Sequence, residues 1–416
     1  MMKGKKILAL LIALLVAVSM TACGSSGGTS EKKEGTSKES AASFDDMVKK
    51  AKGTTVTFYG WGGDDLLNSW LDDYFAPRMQ KKYGIKMKRV PMNIEDILSQ
   101  LSGEKQSGKK KSDIDMIWIN GENFKTAREN GFLYGPFLDK LPNYGKYYNA
   151  KDRENNYDFS YPIKGYEAPY GKAQVVFEVD RAKVKSVPTD TKAFAEFVKK
   201  NPGKVTYPAP PDFTGSVFVR NVIYDICGYK QFQNMKADKE TVRKAVEPAM
   251  KYLKSLNPYL WNKGKTFPES SQKADKMFAD GETIFRVTYD AYDISKYIEN
   301  GTFPKTADSF QFKKGTIGNT NYMAIAKNSG NVAGAMVAIN EMMSPEVQLN
   351  RYEKLHTVPV TDNSKLTKAQ KDAFAKVDLG KGTIPQAQLL SKRLPEMPSA
   401  LVPIIEEIWE EEVAGK

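Results

Sequence analysis

The chain has 416 residues, 41% of them hydrophobic, which is more than one core usually contains and predicts two lobes with a core each. Its formal net charge is +12, and loss of Lys3, Lys5 and Lys6 with the leader described below would leave 12 − 3 = +9. Because the lysine clusters at 81–82 and 109–111 are not interleaved with aromatic residues, we expect a solvated face attracted to anionic envelope polymers and no nucleic-acid partner.

The first 22 residues have the pattern of a signal peptide, with lysines before the apolar run 7–18 and small residues before Cys23. That run is shorter than the roughly 20 residues that a membrane-spanning helix needs. Small residues directly before a cysteine resemble the lipobox of bacterial lipoproteins, which implies a lipid-modified Cys23 and a protein held at the outer face of the cytoplasmic membrane. The alternative is an ordinary secretory signal with Cys23 as a free thiol.

Residues 23–44 combine this cysteine with a Gly, Ser and charge-rich stretch, which predicts a flexible tether. Cys227 is the only other cysteine, so the mature domain contains no internal disulfide and depends on its core.

Residues 55–59, 85–90 and 114–119 have strand patterns, and segments with helical spacing of apolar residues separate them. This order predicts a parallel, doubly wound α/β sheet. The third run breaks abruptly into Asn120, Gly121, Glu122 and Asn123, which is typical of a buried strand that ends at a polar crevice. Ligands bind beyond the carboxyl ends of such strands.

The chain is expected to cross between lobes in residues 166–180, to return in 315–326 and to cross again in 356–360. We therefore assign 45–167 with 322–355 to lobe 1, and 168–321 with 356–416 to lobe 2. Within lobe 2, residues 204–207 and 283–288 are predicted strands, and 193–200 and 217–227 are predicted helices.

Five blocks of sequence are more specific than this layout, namely FYGWGG (58–63), WINGENF (118–124), EAPYGKAQ (167–174), YPAPPDFTGS (207–216) and GTIGNTNY (315–322). They resemble the extracellular solute-binding lipoproteins of bacterial ABC importers, in the YnjB-type branch, which is related to thiamine-, polyamine- and iron-binding members. The resemblance spans residues 55 to about 355. It implies a periplasmic-binding-protein type II fold, with two doubly wound lobes joined by hinge crossings, and a non-enzymatic protein that delivers a small solute to a membrane permease. We expect a monomer without cofactor or metal.

Each block joins a polar turn to an apolar strand, so that all five can point at one crevice. The predicted ligand-binding residues are Tyr59, Trp61, Asp64, Asn120, Glu122, Asn123, Glu167, Tyr170, Gln174, Asp212, Thr214, Ser216, Asp290, Tyr292, Asn319, Asn321 and Tyr322. Five of them are carboxylates and the blocks contain a single lysine, Lys172, so a cationic solute is expected, with aromatic rings available for stacking. A thiamine-like compound has both properties. An anionic group on the ligand would suit the helix N-terminus near Thr214 and Ser216.

Several alternatives remain open at this point. Asp64 and Asp290 each open a helix and would serve as N-caps, and Trp61 and Tyr170 would serve as packing. A carbohydrate would also suit the aromatic and acidic residues. The adjacent Tyr147 and Tyr148 are the candidates for ferric ion, and His356 is the only histidine.

Two further classes of function are weighed against binding. Paired carboxylates would suit a glycosidase, although the chain has no nucleophile-elbow, phosphate-loop or metal-ligand motif. An adhesion or sensor lipoprotein would have no pocket between its lobes. If the protein binds a solute, we expect the lobes to close around it by rotation about the crossings.

Overall fold

The structure is a computed structural model that describes residues 43–415. The predicted signal peptide, the lipid-modified Cys23 and the tether up to residue 42 lie outside the described residues. Ser43 caps the first helix, which begins at Phe44, the last residue of the predicted tether. Within residues 43–415, no helix has both the length and the apolar content that crossing a bilayer requires.

Helices and short strands follow one another along the whole described chain. The helices are α1 (Phe44–Ala51), α2 (Asp65–Trp70), α3 (Ala76–Tyr83), α4 (Ile94–Gln106), α5 (Gly121–Glu129), α6 (Pro142–Tyr147), α7 (Thr191–Lys200), α8 (Phe213–Cys227), α9 (Lys239–Leu256), α10 (Ser271–Ala279), α11 (Asp293–Glu299), α12 (Val332–Met342), α13 (Pro345–Leu355), α14 (Lys368–Ala375), α15 (Gln386–Ser391) and α16 (Val402–Trp409). The strands are β1 (Thr55–Gly60), β2 (Lys86–Pro91), β3 (Met116–Ile119), β4 (Leu133–Tyr134), β5 (Tyr157–Asp158), β6 (Tyr161–Pro162), β7 (Glu167–Gln174), β8 (Val176–Asp180), β9 (Phe285–Thr288), β10 (Ala307–Phe310), β11 (Thr316–Ala326) and β12 (Arg393–Leu394).

The larger sheet has the order β12-β11-β3-β1-β2, with β4 and β7 also paired to β11. β1 pairs in parallel with β2 and β3, as the sequence predicts. β11 returns antiparallel to β3, so the sheet is mixed rather than wholly parallel. The central strands β3, β7 and β11 are largely buried, whereas the edge strand β2 is partly exposed.

The smaller sheet has the order β10-β8-β9, and both of its pairings are antiparallel. Its core is aromatic: the ring centroid of Phe177 lies 4.6 Å from that of Phe312 and 5.8 Å from that of Phe285. The predicted strand 204–207 is wrong, since this segment is irregular. Its carbonyls accept hydrogen bonds from Trp261 and Ile284 at 2.9 Å without forming a ladder.

The passage between the two sheets occurs at Val175, which is fully buried between β7 and β8. β7 and β11 run side by side through it, from the pair Gly318–Gln174 to the pair Ala324–Glu167. Lys172 makes a further bridge to Val358, so the third predicted crossing lies beside the other two. The segments predicted as crossings thus lie side by side, 166–180 and 315–326 through the pairing of β7 with β11, and 356–360 through the single bridge at Val358.

A buried guanidinium ties the smaller sheet to two helices. Arg286 of β9 contacts Glu178 of β8 at 2.8 Å, Asp275 of α10 at 2.6 Å and Asp293 of α11 at 2.7 Å. One positive charge therefore meets three carboxylates. Burial raises the pKa of Glu178 to about 8, although Arg286 opposes this shift, and the charge of Asp293 adds to it.

The raised pKa of Glu178 predicts that the protein loses stability as pH rises from about 4.5 to about 8. A carboxyl group that holds its proton more tightly when folded stabilises the native state below its unfolded pKa, and that contribution disappears as pH passes the folded pKa. Glu178→Gln should reduce the difference in free energy of unfolding between pH 5 and pH 8, by up to about 4 kcal/mol. Urea unfolding at pH 5 and at pH 8 measures this difference in free energy of unfolding. Glu240→Gln, at an exposed carboxylate, should leave the difference unchanged, and an unaltered difference in Glu178→Gln would contradict the assignment.

Candidate functional site

The strands β1, β3 and β9 end in polar loops that meet in one crevice beside β7 and β11. Asn120, directly after β3, donates a hydrogen bond from Nδ2 to Oδ1 of Asn321 in β11 at 2.9 Å. Asp64, after β1, is close enough to Asp290, after β9, for its charge to raise the pKa of Asp290. The crevice therefore has walls from both sheets.

The WINGENF block forms the turn from β3 into α5. Gly121 has a φ of +61°, and a Cβ atom there would lie 3.3 Å from the ring of Phe159. Asp158 accepts the amide hydrogen of Gly121 at 2.5 Å, which holds the first turn of α5 against strand β5. The next residue, Glu122, is half-buried, and its Oε2 atom is enclosed without a hydrogen-bond partner.

Four carboxyl groups lie together in this part of the crevice, and a buried guanidinium, that of Arg220, pairs with one of them. We call Glu122, Asp158, Glu396 and Glu406 the acid cluster. Arg220 of α8 donates from Nε to Oε1 of Glu396 at 3.0 Å and from Nη2 to the hydroxyl of Tyr289 at 3.3 Å. Ser216 donates to Oε1 of Glu406 at 2.5 Å and accepts a hydrogen bond from Arg220. Tyr289 also donates to Glu396.

The acid cluster has more negative charge than Arg220 neutralises. Burial raises the pKa of Glu122, and the charge of Glu396 adds to the effect while Arg220 opposes it. Burial also raises the pKa of Asp158, and Glu122 and Glu396 contribute. The pKa of Glu406 is raised by burial and by Glu122 as well. Each of these carboxylates would be easier to ionise with a second cation nearby.

Aromatic rings stand beside the acid cluster. Phe213, at the start of α8, is 39% exposed and stacks on Tyr289, with ring centroids 4.9 Å apart and planes inclined by 29°. The ring centroid of Phe159 lies 6.4 Å from that of Phe213. In the separate loop after β1, Trp61 is 49% exposed, and its ring covers Gly63, where a Cβ atom would lie 2.1 Å from the indole.

A cavity of about 270 Å³ adjoins the acid cluster where β11 passes between the sheets. We call it the hinge cavity. Its lining includes Asp158, Phe159, Asn319, Tyr322 and Glu396. The side chain of Asn319 is buried, and neither its Nδ2 nor its Oδ1 has a hydrogen-bond partner. Tyr322 is satisfied, since its hydroxyl donates to the carbonyl of Glu154 at 2.6 Å.

The opposite end of the crevice contains Asp64, Asp290 and Lys296. Asp64 caps α2 through the amide of Leu67 at 3.0 Å, as the N-cap alternative predicts. Desolvation and the charges of Asp293 and Asp64 raise the pKa of Asp290, although solvent reaches this side chain and screens part of the effect. The ammonium of Lys296 donates to the carbonyl of Lys354. No salt bridge within the described residues neutralises Asp290.

Several predicted site residues stabilise the fold instead of facing the crevice. Tyr59 packs in the core of the larger sheet. Glu167 is fully buried, both of its carboxylate oxygens are without partners, and burial and Asp158 raise its pKa. Tyr170 lies under the guanidinium of Arg351, 3.7 Å from the ring centroid, and is buried, as the packing alternative predicts.

The remaining predicted residues link elements together. Gln174 donates to the carbonyl of Leu389 at 2.8 Å. Asp212 caps α8 by accepting the amide hydrogens of Thr214 and Gly215, both at 2.9 Å. Tyr292 is fully buried in a separate apolar cluster. Asn123 is half-buried in the first turn of α5.

Sequence reasoning did not select Arg220, Glu396, Glu406, Phe213 or Asp158. Arg220 is the one charged residue in the apolar run VFVRNVI of α8, and such an isolated charge is a usable signal for a buried ion pair. Phe213 belongs to a block that was recognised for its polar residues. Glu396 and Glu406 follow long after the last block, and only the tertiary fold brings them to Arg220.

The described part of the chain contains no set of ligands that would support the ferric-ion alternative. The hydroxyl of Tyr148 is buried and donates to the carbonyl of Met343 at 3.1 Å, away from the crevice. Between residues 43 and 415, no three His, Cys, Asp or Glu side chains converge as they would around a metal ion.

Comparison with known proteins agrees with this architecture. Residues 74–376 match the model of a family described as bacterial extracellular solute-binding protein. Protein YnjB of Escherichia coli strain K12 is 33% identical over 338 residues, which cover 80% of this chain and 86% of YnjB.

Two solved structures share the fold at low sequence identity. A putative spermidine/putrescine ABC transporter from Listeria monocytogenes superposes with a TM-score of 0.60 at 16% identity, over 87% of this chain and 99% of that one. A periplasmic thiamin binding protein does so with a TM-score of 0.56 at 15% identity, over 86% and 96%. The predicted type II periplasmic-binding-protein fold is confirmed. The chain therefore belongs to the bacterial extracellular solute-binding protein family, which is a family of binding proteins and not of enzymes.

Proposed function

We propose that this protein captures a small cationic, aromatic organic solute in the crevice between its two lobes and delivers it to its permease. The observation that supports the cationic class is the acid cluster, in which four carboxyl groups lie together, the guanidinium of Arg220 pairs with Glu396 alone, and Oε2 of Glu122 is buried without a partner. Burying unpaired negative charge costs free energy, and a ligand cation placed there would recover it.

The aromatic part of the proposal depends on Phe213. Its ring is partly exposed beside the acid cluster and is already held by Tyr289, so that it offers a flat face to a ligand without further ordering. A cation attached to a ring, as in thiamine, would meet both features. The thiamin-binding and spermidine/putrescine proteins of the same fold make these two cations sensible first probes.

A carbohydrate is the second candidate, favoured by the hinge cavity. Asn319 and the hydroxyl of Thr320 line that cavity, and both are buried, uncharged and without partners. Neutral donors and acceptors of this kind suit the hydroxyl groups of a sugar.

Glu122→Gln should weaken binding of a cationic solute about 10- to 100-fold, because one charge-assisted contact is lost while the shape of the side chain is kept. Isothermal titration with thiamine and with spermidine measures the dissociation constant. Glu129→Gln, at the exposed end of the same helix α5, is the matched control and should bind like the unmodified protein. Binding of neutral sugars without any binding of cations would overturn the cationic proposal in favour of the carbohydrate.

The division into lobes supports a closing motion. We propose lobe 1 as 45–167 with 322–355 and lobe 2 as 168–321 with 356–416, rotating about β7, β11 and residues 356–360. Arg393 already contacts Glu154 across this boundary at 2.6 Å, and the amide of Ser399 donates to the carbonyl of Phe159 at 2.8 Å. A ligand held by both walls would favour such contacts over open arrangements.

Closure should reduce the radius of gyration in small-angle scattering when a solute that is proven to bind is added. Glu154 is the residue to change, because its contact with Arg393 crosses the boundary between the proposed lobes. Burial would raise the pKa of Glu154, but Arg393 and Lys172 lower it to about 2, so this carboxylate is ionised at neutral pH. In Glu154→Gln we expect a smaller compaction on ligand addition. An unchanged radius in the unmodified protein at saturating ligand would exclude closure.

We also propose that the mature protein is anchored by lipid on Cys23, because small residues precede this cysteine after an apolar leader. In a bacterial host, Cys23→Ser should abolish incorporation of labelled palmitate and release the protein from the membrane fraction. Cys227→Ser is the matched control and should stay labelled. Label retained in Cys23→Ser would contradict the anchor.

A further inference from the structure

The amino-terminal edge of the larger sheet, opposite to the crevice, is rich in lysine. Four segments meet there: 49–54 before β1, 81–86 at the start of β2, 107–114 before β3 and 326–331 at the end of the antiparallel β11. Together they contain ten lysines and a single carboxylate, Asp113. We call this surface the lysine pole.

Backbone hydrogen bonds hold these segments against one another. Gly53 donates to the carbonyl of Gly84 at 2.9 Å, and Lys86 donates to the carbonyl of Thr54 at 3.0 Å. On the other side, Ser112 donates to the carbonyl of Asn328 at 2.8 Å. Asn331 closes the ring through Nδ2, which donates to the carbonyl of Thr55 at 2.8 Å. The lysines therefore share one surface although they are distant in sequence.

Most of this positive charge is not neutralised. Lys109 pairs with Asp113 at 2.9 Å and Lys82 with Glu341 at 2.8 Å, and Lys49 approaches Asp46 at 3.7 Å. The others are exposed and make no salt bridge with any of residues 43–415: Lys50, Lys52, Lys81, Lys86, Lys110, Lys111 and Lys327.

We propose that the lysine pole binds the anionic phospholipid headgroups of the membrane to which the protein is tethered. Twenty residues separate Cys23 from Phe44 in the sequence. A Gly/Ser-rich coil of that length spans about 25 Å, so a lipid on Cys23 would hold the domain next to a bilayer at all times. Without exposed aromatic rings among the lysines, the pole does not suit single-stranded nucleic acid.

The position of the pole gives this contact a consequence for uptake. Parallel strands β1, β2 and β3 start at the lysine pole and end at the crevice. A domain resting on the bilayer through its pole would therefore turn the crevice away from the membrane, towards the medium that supplies the solute. Release of the pole would precede any approach of the crevice to a permease.

The test is cosedimentation of the processed chain, residues 23–416 with Cys23→Ser, with lipid vesicles. We expect binding to equimolar phosphatidylglycerol and phosphatidylcholine, and loss of binding in 0.5 M NaCl or with phosphatidylcholine alone. Each lysine near such a surface contributes roughly fivefold, so the variant K81Q/K86Q/K110Q should lower the partition coefficient about a hundredfold.

The variant K200Q/K244Q/K254Q is the matched control, because it removes the same charge from exposed lysines of α7 and α9. It should lower the partition coefficient by no more than about threefold, and circular dichroism confirms that both variants are folded. Equal losses in the two variants would overturn the proposal, since net charge alone would explain them. Absence of binding to anionic vesicles would also overturn it, and soluble polyphosphate bound in its place would reassign the pole to a free polyanion.

Discussion

The pairing of β7 with β11 is the constraint on which the rest of the structure depends. β11 contacts β3 and β4 along one part of its length, β12 along another and β7 through the passage between the sheets. This ladder therefore connects the two walls of the crevice, and its residues Asn319 and Asn321 lie between them. A motion of the lobes has to bend this ladder. The chain passes between the sheets at the buried Val175, directly after β7, and the bridge from Lys172 to Val358 ties the third predicted crossing to the same strand.

The crevice is acidic although the chain as a whole carries a net positive charge. The chain as a whole is strongly basic, yet carboxylates concentrate in the crevice and around Arg220, while lysines concentrate at the other end of the same strands. Parallel strands produce this polarity directly, since all their carboxyl ends face one edge of the sheet and all their amino ends the other. The proposed cation site and the proposed membrane contact therefore lie at opposite edges of the sheet.

Buried carboxylates differ in whether a guanidinium pairs with them. In the cluster around Arg286, all three carboxylates contact the guanidinium, which fixes α10 and α11 against β8 and β9. In the acid cluster, Arg220 contacts Glu396 but not Glu122, one of whose oxygens is enclosed without a hydrogen-bond partner. Glu167 is a further case, because it is enclosed near Asp158 within the larger sheet and neither of its oxygens has a hydrogen-bond partner.

The sequence by itself determined the elements whose signals are local. Alternating and continuous apolar runs predicted β1, β2 and β3, and the break after Ile119 located the end of β3 at a crevice, because a buried strand must change composition where it meets water. Glu122 was predicted from this break, and Ser216 from the separate block that leads into α8. Only the tertiary structure decided that Tyr59, Tyr170 and Tyr292 pack in cores, since a tyrosine beside a polar turn has the same sequence signature in either role. It also decided that Glu396 meets Arg220 and Glu406 meets Ser216, because contacts between residues almost two hundred positions apart arise only when the carboxyl-terminal segment folds against α8, and they leave no local pattern.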